Sequence, residues 1–261
     1  MSAREFQKNI SNFCETLLEH NLALGAQSHV IRRLDDGIVR VTWVPNMPPI
    51  NEEEDGYLRA PDLELSEYLR CLRAGDYSVL LNDGGLIQVS LDFRGDGVIA
   101  SRFCYIPCAI KFHLEEIRLD DEIYPLEDFI LELPQNELIA RLCLRPPFRF
   151  EHDPHNVSED HALHHVHLGK STSRIPVSSA MCWDHFARFV FINFYPEQFD
   201  AVAGLLKFPV SYRPRSITEA HAMEVHFAFD PPRPGEEKIA KRERGGHKRA
   251  NHQGKRPRKR K

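Results

Sequence analysis

The stretch YSVLLNDGGLIQVSLDFRGDGVIASRFCYIP, residues 77–107, decides the fold class. Its first apolar run ends at Asn82-Asp83-Gly84-Gly85, residue types that tolerate the positive φ of a tight turn. Ile87, Val89, Leu91 and Phe93 then alternate with Gln88, Ser90 and Asp92, the period-two pattern of a strand with one buried face. Arg94-Gly95-Asp96-Gly97 is a second turn signal, and VIASRFCYIP reads as a third strand. Strands joined by turns this short are antiparallel neighbours.

Upstream, Ser2 and Glu5 have the spacing of a capping box. Phe6, Ile10, Phe13, Leu17 and Leu18 recur at helical intervals, which predicts a helix over 3–20. Residues 29–44 read as a hairpin around Asp35-Asp36-Gly37. Residues 45–54 are Pro-rich and acidic, hence a loop, and 62–73 suit a short helix. Downstream, 114–138 mix helix and loop. Residues 138–151 read as a strand interrupted at Pro146-Pro147, and 162–168 as another strand. Trp183, Phe186, Phe189 and Val190 form the apolar face of a helix, and 196–206 a second helix. Met223, Val225, Phe227 and Phe229 alternate as a closing strand. Hairpins dominate, with no βαβ rhythm and no internal repeat. The expected fold is α+β: a curved antiparallel sheet with helices packed mainly on one face, plus a disordered basic C-terminal tail.

Composition sets the outer limits. The chain has 261 residues, 42% of them hydrophobic, enough for a substantial core. No stretch approaches the roughly 20 apolar residues of a membrane span, so membrane-spanning functions are set aside. The start, MSAREFQKN, lacks the apolar run of a signal peptide, which predicts a cytoplasmic protein. The six cysteines are scattered and read as free thiols. Cys104 and Cys108 alone resemble half of a zinc site, with no second pair to complete it.

Residues 231–261 hold 13 Lys/Arg against 3 Asp/Glu, while the whole chain has 34 against 38. The body, 1–230, is left with 21 against 35 and is strongly acidic. The basic segment has one sizeable aliphatic residue, Ile239, and reads as a disordered arm beyond a single domain of 1–230. Lys255, Arg256, Arg258, Lys259 and Arg260 would contact phosphates.

Short blocks carry a family resemblance: LLNDGGLIQVSLDF, RFCYIPC, FRFEHD, HHVHLG, RIPV and FVFINFYP, in that order. Over roughly residues 60–210 the chain resembles the uncharacterised bacterial family called domain of unknown function 2290. The resemblance implies a bacterial, intracellular protein and supplies no activity. Phe148-Arg149-Phe150-Glu151, His152, His155 and His164-His165-Val166-His167 also resemble RNA-acting toxins of toxin–antitoxin pairs over about twenty residues. The greater length here and the position of Glu151 depart from that pattern.

The histidines carry the chemistry. If 148–152 and 162–168 form a hairpin, alternation puts Arg149, Glu151, His165 and His167 on one face. Phe148, Phe150, His164, Val166 and Leu168 then share the other, as core or edge. The expected site is a pair of imidazoles protruding toward water beside guanidinium groups. One reading is metal-independent RNA cleavage without a cofactor: His165 and His167 transfer protons, while Arg149 and Arg174 hold the phosphate. It makes the chain a nuclease-like toxin or phage-defence component with RNA or DNA as partner. A second is a metal-dependent hydrolase, with the H-x-H pair plus His155 or Glu151 holding a divalent ion. A third takes the histidines as solvated or structural groups. A non-catalytic, antitoxin-like protein binding the product of a neighbouring gene is the alternative from another class.

Overall fold

The structure is a computed structural model that describes residues 1–34, 37–44, 64–119, 122–143, 145–158, 161–169, 172–204, 217–223 and 225–228. The loop expected at 45–54, the turn residues Asp35 and Asp36 and the basic arm with its five named cations lie outside the described residues. In chain order the elements are α1 (Ala3–Glu19), β1 (Ala23–Ala26), β2 (His29–Arg33), β3 (Ile38–Trp43), α2 (Leu65–Ala74) and β4 (Val79–Leu81). Then come β5 (Leu86–Arg94), β6 (Gly97–Ile106), β7 (Arg118–Leu119), β8 (Glu122–Ile123), α3 (Leu126–Glu132) and α4 (Gln135–Arg141). The last are β9 (Phe148–His152), β10 (His164–Leu168), β11 (Ile175–Pro176), α5 (Trp183–Phe194), α6 (Phe199–Ala203) and α7 (Glu219–Ala222).

The capping box at Ser2 forms as its spacing predicts. Glu5 N–H donates to Ser2 Oγ, and Ser2 N–H donates to the Glu5 carboxylate at 2.7 Å. The helix it starts buries Phe6, Ile10, Phe13, Cys14 and Leu17. The meander of 77–107 is the centre of the sheet: β4, β5 and β6 pair antiparallel, extended by β1 on one side and by β9, β10 and β11 on the other. The hairpin β2–β3 joins through β3 to β5. A register shift between Asp92 and Phe93 marks a bulge, which adds local twist and bends the strand. Gly84 makes the first turn possible. Its φ is +84°, and an added Cβ would meet Cys108 Sγ at 2.6 Å.

One face of the sheet takes α1 and α5. Phe6 meets Phe93, Phe103 lies between Trp183 and Phe186, and Phe148 meets Phe186 and Phe189. Each such ring contributes about 1.5–3 kcal/mol by leaving water. On the other face, Leu86, Cys104 and Ile106 are covered at one end by Tyr68 and Cys71 of α2 and by Leu126 and Ile130 of α3. The rest of that face is polar. Ser90, Arg102, Glu151 and His165 stand in one row across β5, β6, β9 and β10, each directly opposite the next.

Several expectations need correction. Leu138–Arg141 belongs to α4, and the strand begins only at Phe148. A short apolar run such as LIARLCL fits helix and strand equally, and Pro134 at the helix N-cap decides it. Of the closing strand expected at 223–229, residues 224 and 229 lie outside the described residues; among the described ones Met223 is 89% and Val225 87% exposed, and Phe227 makes an isolated parallel bridge to Val177. Leu168, expected in the core, lies 41% exposed at the end of β10. Ile175-Pro176, ahead of α5, forms the short strand β11 against β10.

His29 is buried beneath α1 and bonded to Ser78 Oγ at 3.0 Å. Burial pushes its pKa down to about 4 from 6.5. The fold therefore favours the neutral ring, and that contribution is present above pH 6.5 and lost as pH falls toward 4. The difference is worth about 3 kcal/mol. Urea unfolding between pH 7 and 4 should show that loss, and His29→Gln should flatten it by a comparable amount. An unchanged pH slope in the variant would contradict this assignment.

Candidate metal centre

β9 and β10 form the hairpin that alternation requires. His165 pairs with Glu151, and His167 with Arg149. All four side chains leave the sheet on the face opposite α5, as the 2-residue period demands. They converge, but not into water. His165 is 0% exposed, His167 5%, Arg149 6% and Glu151 9%. The expectation of imidazoles protruding into solvent is corrected: the cluster is sealed, and only His161, on the loop before β10, is half-buried.

The contacts define a donor set. His165 Nε2 lies 3.0 Å from Glu151 Oε2 and 3.0 Å from His167 Nε2, and His167 Nε2 lies 3.2 Å from the same Glu151 oxygen. His161 Nε2 approaches His165 Nε2 at 3.3 Å. His165 Nδ1 lies 2.9 Å from the Ala162 carbonyl oxygen. A carbonyl only accepts, so Nδ1–H donates, and the neutral ring presents a bare lone pair at Nε2. That lone pair faces an acceptor-only carboxylate and two further ring nitrogens. The arrangement repels unless a proton or a cation sits among these atoms. Four ligands at bonds of about 2.0–2.1 Å around a tetrahedral zinc lie about 3.3 Å apart, close to the spacings seen here. Among the described residues Glu151, His165 and His167 are the one group with this geometry.

The charges suit the same purpose. Burial works against ionised Glu151, yet the His165 and His167 contacts and the Arg149 and Arg102 guanidiniums overcome it and hold the carboxyl far below its usual range. Arg149 Nε lies 3.1 Å and Arg102 Nε 3.4 Å from Oε1, so the arginines occupy one oxygen and leave Oε2 to the imidazoles. Burial lowers the pKa of His167, against the pull of Glu151. Burial and the charges of His165 and Arg174 lower that of His161. Both rings are thus biased to the neutral form, which for His167 is the ligating one. The His165–Ala162 bond is the kind of outer contact that orients a ligating imidazole. His167 Nδ1 is buried without such a partner among the described residues.

The remaining expected residues sit elsewhere. Arg174 is exposed and acts on the cluster only through its charge on His161. His155 is exposed in the loop after β9, where its N–H donates to Asp153. His164 is buried on the opposite face, stacked on His152 with their Nδ1 atoms 2.9 Å apart. Cys108 bonds Tyr68 Oη, and neither it nor Cys104 joins a group of potential ligands among the described residues. Arg102 carries no signal in the sequence pattern, and His161 stands in it only as one of the run of histidines. Arg102 acquires its place only when β6 pairs with β9, and His161 only when its loop turns back through the Ser158–His161 bridge.

The family described as an uncharacterized conserved protein, DUF2290, matches residues 26–229. The chain belongs to the DUF2290 family. The matched span contains the whole donor set of this DUF2290 protein, together with both arginines that hold Glu151. No curated protein and no solved structure matches the chain. Among the described residues, no helix is long and apolar enough to cross a membrane.

Proposed function

We propose that Glu151, His165 and His167 hold a divalent transition-metal ion, zinc foremost, and that the protein is a metal-dependent hydrolase acting on phosphoesters. The observation that carries the metal is the bare Nε2 of His165, fixed by the Ala162 bond and aimed at a carboxylate and a second imidazole. Two histidines and one glutamate are a donor set with which catalytic zinc sites keep a fourth position for water. His161 borders that position from the half-exposed side, with a ring biased to the neutral form. A divalent ion held there would activate a water for attack on phosphorus; the ester P–O bond would break, with His161 returning the proton it takes from that water to the leaving oxygen.

The phosphoester preference is supported by the arginines around Glu151 and by the excess of ten positive charges over 231–261, which favours a nucleic-acid substrate. A metal-free exchange of protons between His165 and His167 has less support, since both Nε2 atoms converge on each other and on Glu151 Oε2. The experiment is metal analysis of purified chain after chelator treatment and reconstitution, followed by hydrolysis assays on RNA, single-stranded DNA and a small aryl phosphodiester. One zinc or manganese per chain with metal-dependent release of product is the expected result. Less than a tenth of an equivalent would overturn the metal. Stoichiometric metal without hydrolysis would leave a structural centre, and co-purification with a neighbouring gene product would then favour the accessory reading.

A further inference from the structure

Beside the centre, on the same face of the sheet, lies a cavity of about 200 Å³ that none of the four imidazole and carboxylate groups lines. Its polar wall includes Arg40, Ser90, Asp92, Arg102, Asp153 and His155. Most of these groups are already engaged. Arg40 and Asp92 form a two-bond ion pair at 2.7 and 2.8 Å. The Asp153 carboxylate accepts from the His155 N–H and the Asn156 side chain. Arg102 differs. Its Nε leans on Glu151 Oε1 at 3.4 Å, its side chain is 31% exposed, and its other N–H groups meet no acceptor among the described residues. Ser90 stands directly opposite Arg102 in the β5–β6 register, with its hydroxyl on the same face. A planar fork of donors with a hydroxyl beside it, in a walled cavity, is what a phosphoryl oxyanion requires.

We infer that this cavity is the phosphoryl-binding subsite of the metal centre, with Arg102 and Ser90 as its donors. Arg102 lies between the two: in the row Ser90, Arg102, Glu151, His165 it is two strand spacings, about 10 Å, from His165. A ligand anchored by one phosphate in the cavity presents its next phosphoester toward the metal, which fits an oligonucleotide and not an isolated monoester. The local charge agrees. Arg40, Arg102 and Arg149 with a dication outweigh Asp92, Asp153 and Glu151 by two charges, so the loaded centre favours an anion.

The assignment to a substrate rests on the proposed hydrolase, but the subsite itself is testable apart from it. Inorganic phosphate is titrated calorimetrically into the full chain, once chelator-treated and once carrying one equivalent of zinc. Binding is expected in both and tighter in the second. Arg102→Met should weaken it by about 10- to 100-fold, the span of a forked charge-assisted contact, and Ser90→Ala by a smaller factor. Arg70→Gln, on the exposed side of α2 and paired there with Glu67, should leave it unchanged. Phosphate binding that is absent in both forms, or equally affected by Arg70→Gln and Arg102→Met, overturns the subsite. If phosphate binds in an Arg102-dependent way to a chain that takes up no metal, the subsite stands and the hydrolase falls.

Discussion

Replacing His165 with alanine should lower zinc affinity by about a hundred- to thousandfold. The estimate follows from sharing the roughly 10–16 kcal/mol of a four-ligand zinc site among its donors, about 2.5–4 kcal/mol each. His165 is the sharpest choice because its Nε2 lies within 3.3 Å of Glu151, His167 and His161 alike. The matched control is His164→Ala. Residue 164 is one step along the same strand and faces away, toward His152. Competition with a chromophoric chelator reads both variants. Zinc at a hundred times its dissociation constant should also stabilise the wild type by about 2.7 kcal/mol and the His165→Ala variant far less. Equal affinity in wild type and His165→Ala would mean that the imidazoles share a proton and no metal is involved.

This contrast between neighbours shows how much of the site was legible beforehand. Strand alternation alone places Arg149, Glu151, His165 and His167 on one face, and the β9–β10 register agrees residue for residue. Alternation fixes direction but not depth. Whether a face is wet depends on what the chain lays over it, and that involves pairings far apart in sequence. Arg102, nearly fifty residues before Glu151, reaches it only through the β6–β9 ladder. The fold was legible for the same reason that the meander was: its pairings are local and its turns carry Gly and Asp. Among the described residues of 223–229 the alternation yields only one bridge, Phe227 to Val177, because alternation by itself does not extend a pairing. Met223 and Val225 find no partner strand and stay exposed.

Glu151→Gln should be the most destabilising single change in the cluster, costing about 3–5 kcal/mol in metal-free protein. The amide keeps the shape of the carboxyl and removes its charge. Arg149, 6% exposed, then stays buried with no counter-charge at 3.1 Å, and Arg102 loses the same anchor. A companion substitution separates electrostatics from packing. Buried ion pairs replaced on both sides by apolar groups of similar size are often tolerated. Arg149→Met combined with Glu151→Leu should therefore recover most of the loss, though neither change rebuilds a metal ligand. Urea unfolding in chelator measures both variants. A cost below about 1 kcal/mol for Glu151→Gln would mean that the guanidiniums are already satisfied elsewhere, since isolated surface pairs contribute no more than that. The double variant also tests what the arginines are for. If it folds as well as wild type but binds no zinc, the Arg149–Glu151–Arg102 arrangement exists to aim one carboxylate oxygen at the imidazoles, and stability alone is no reason for it.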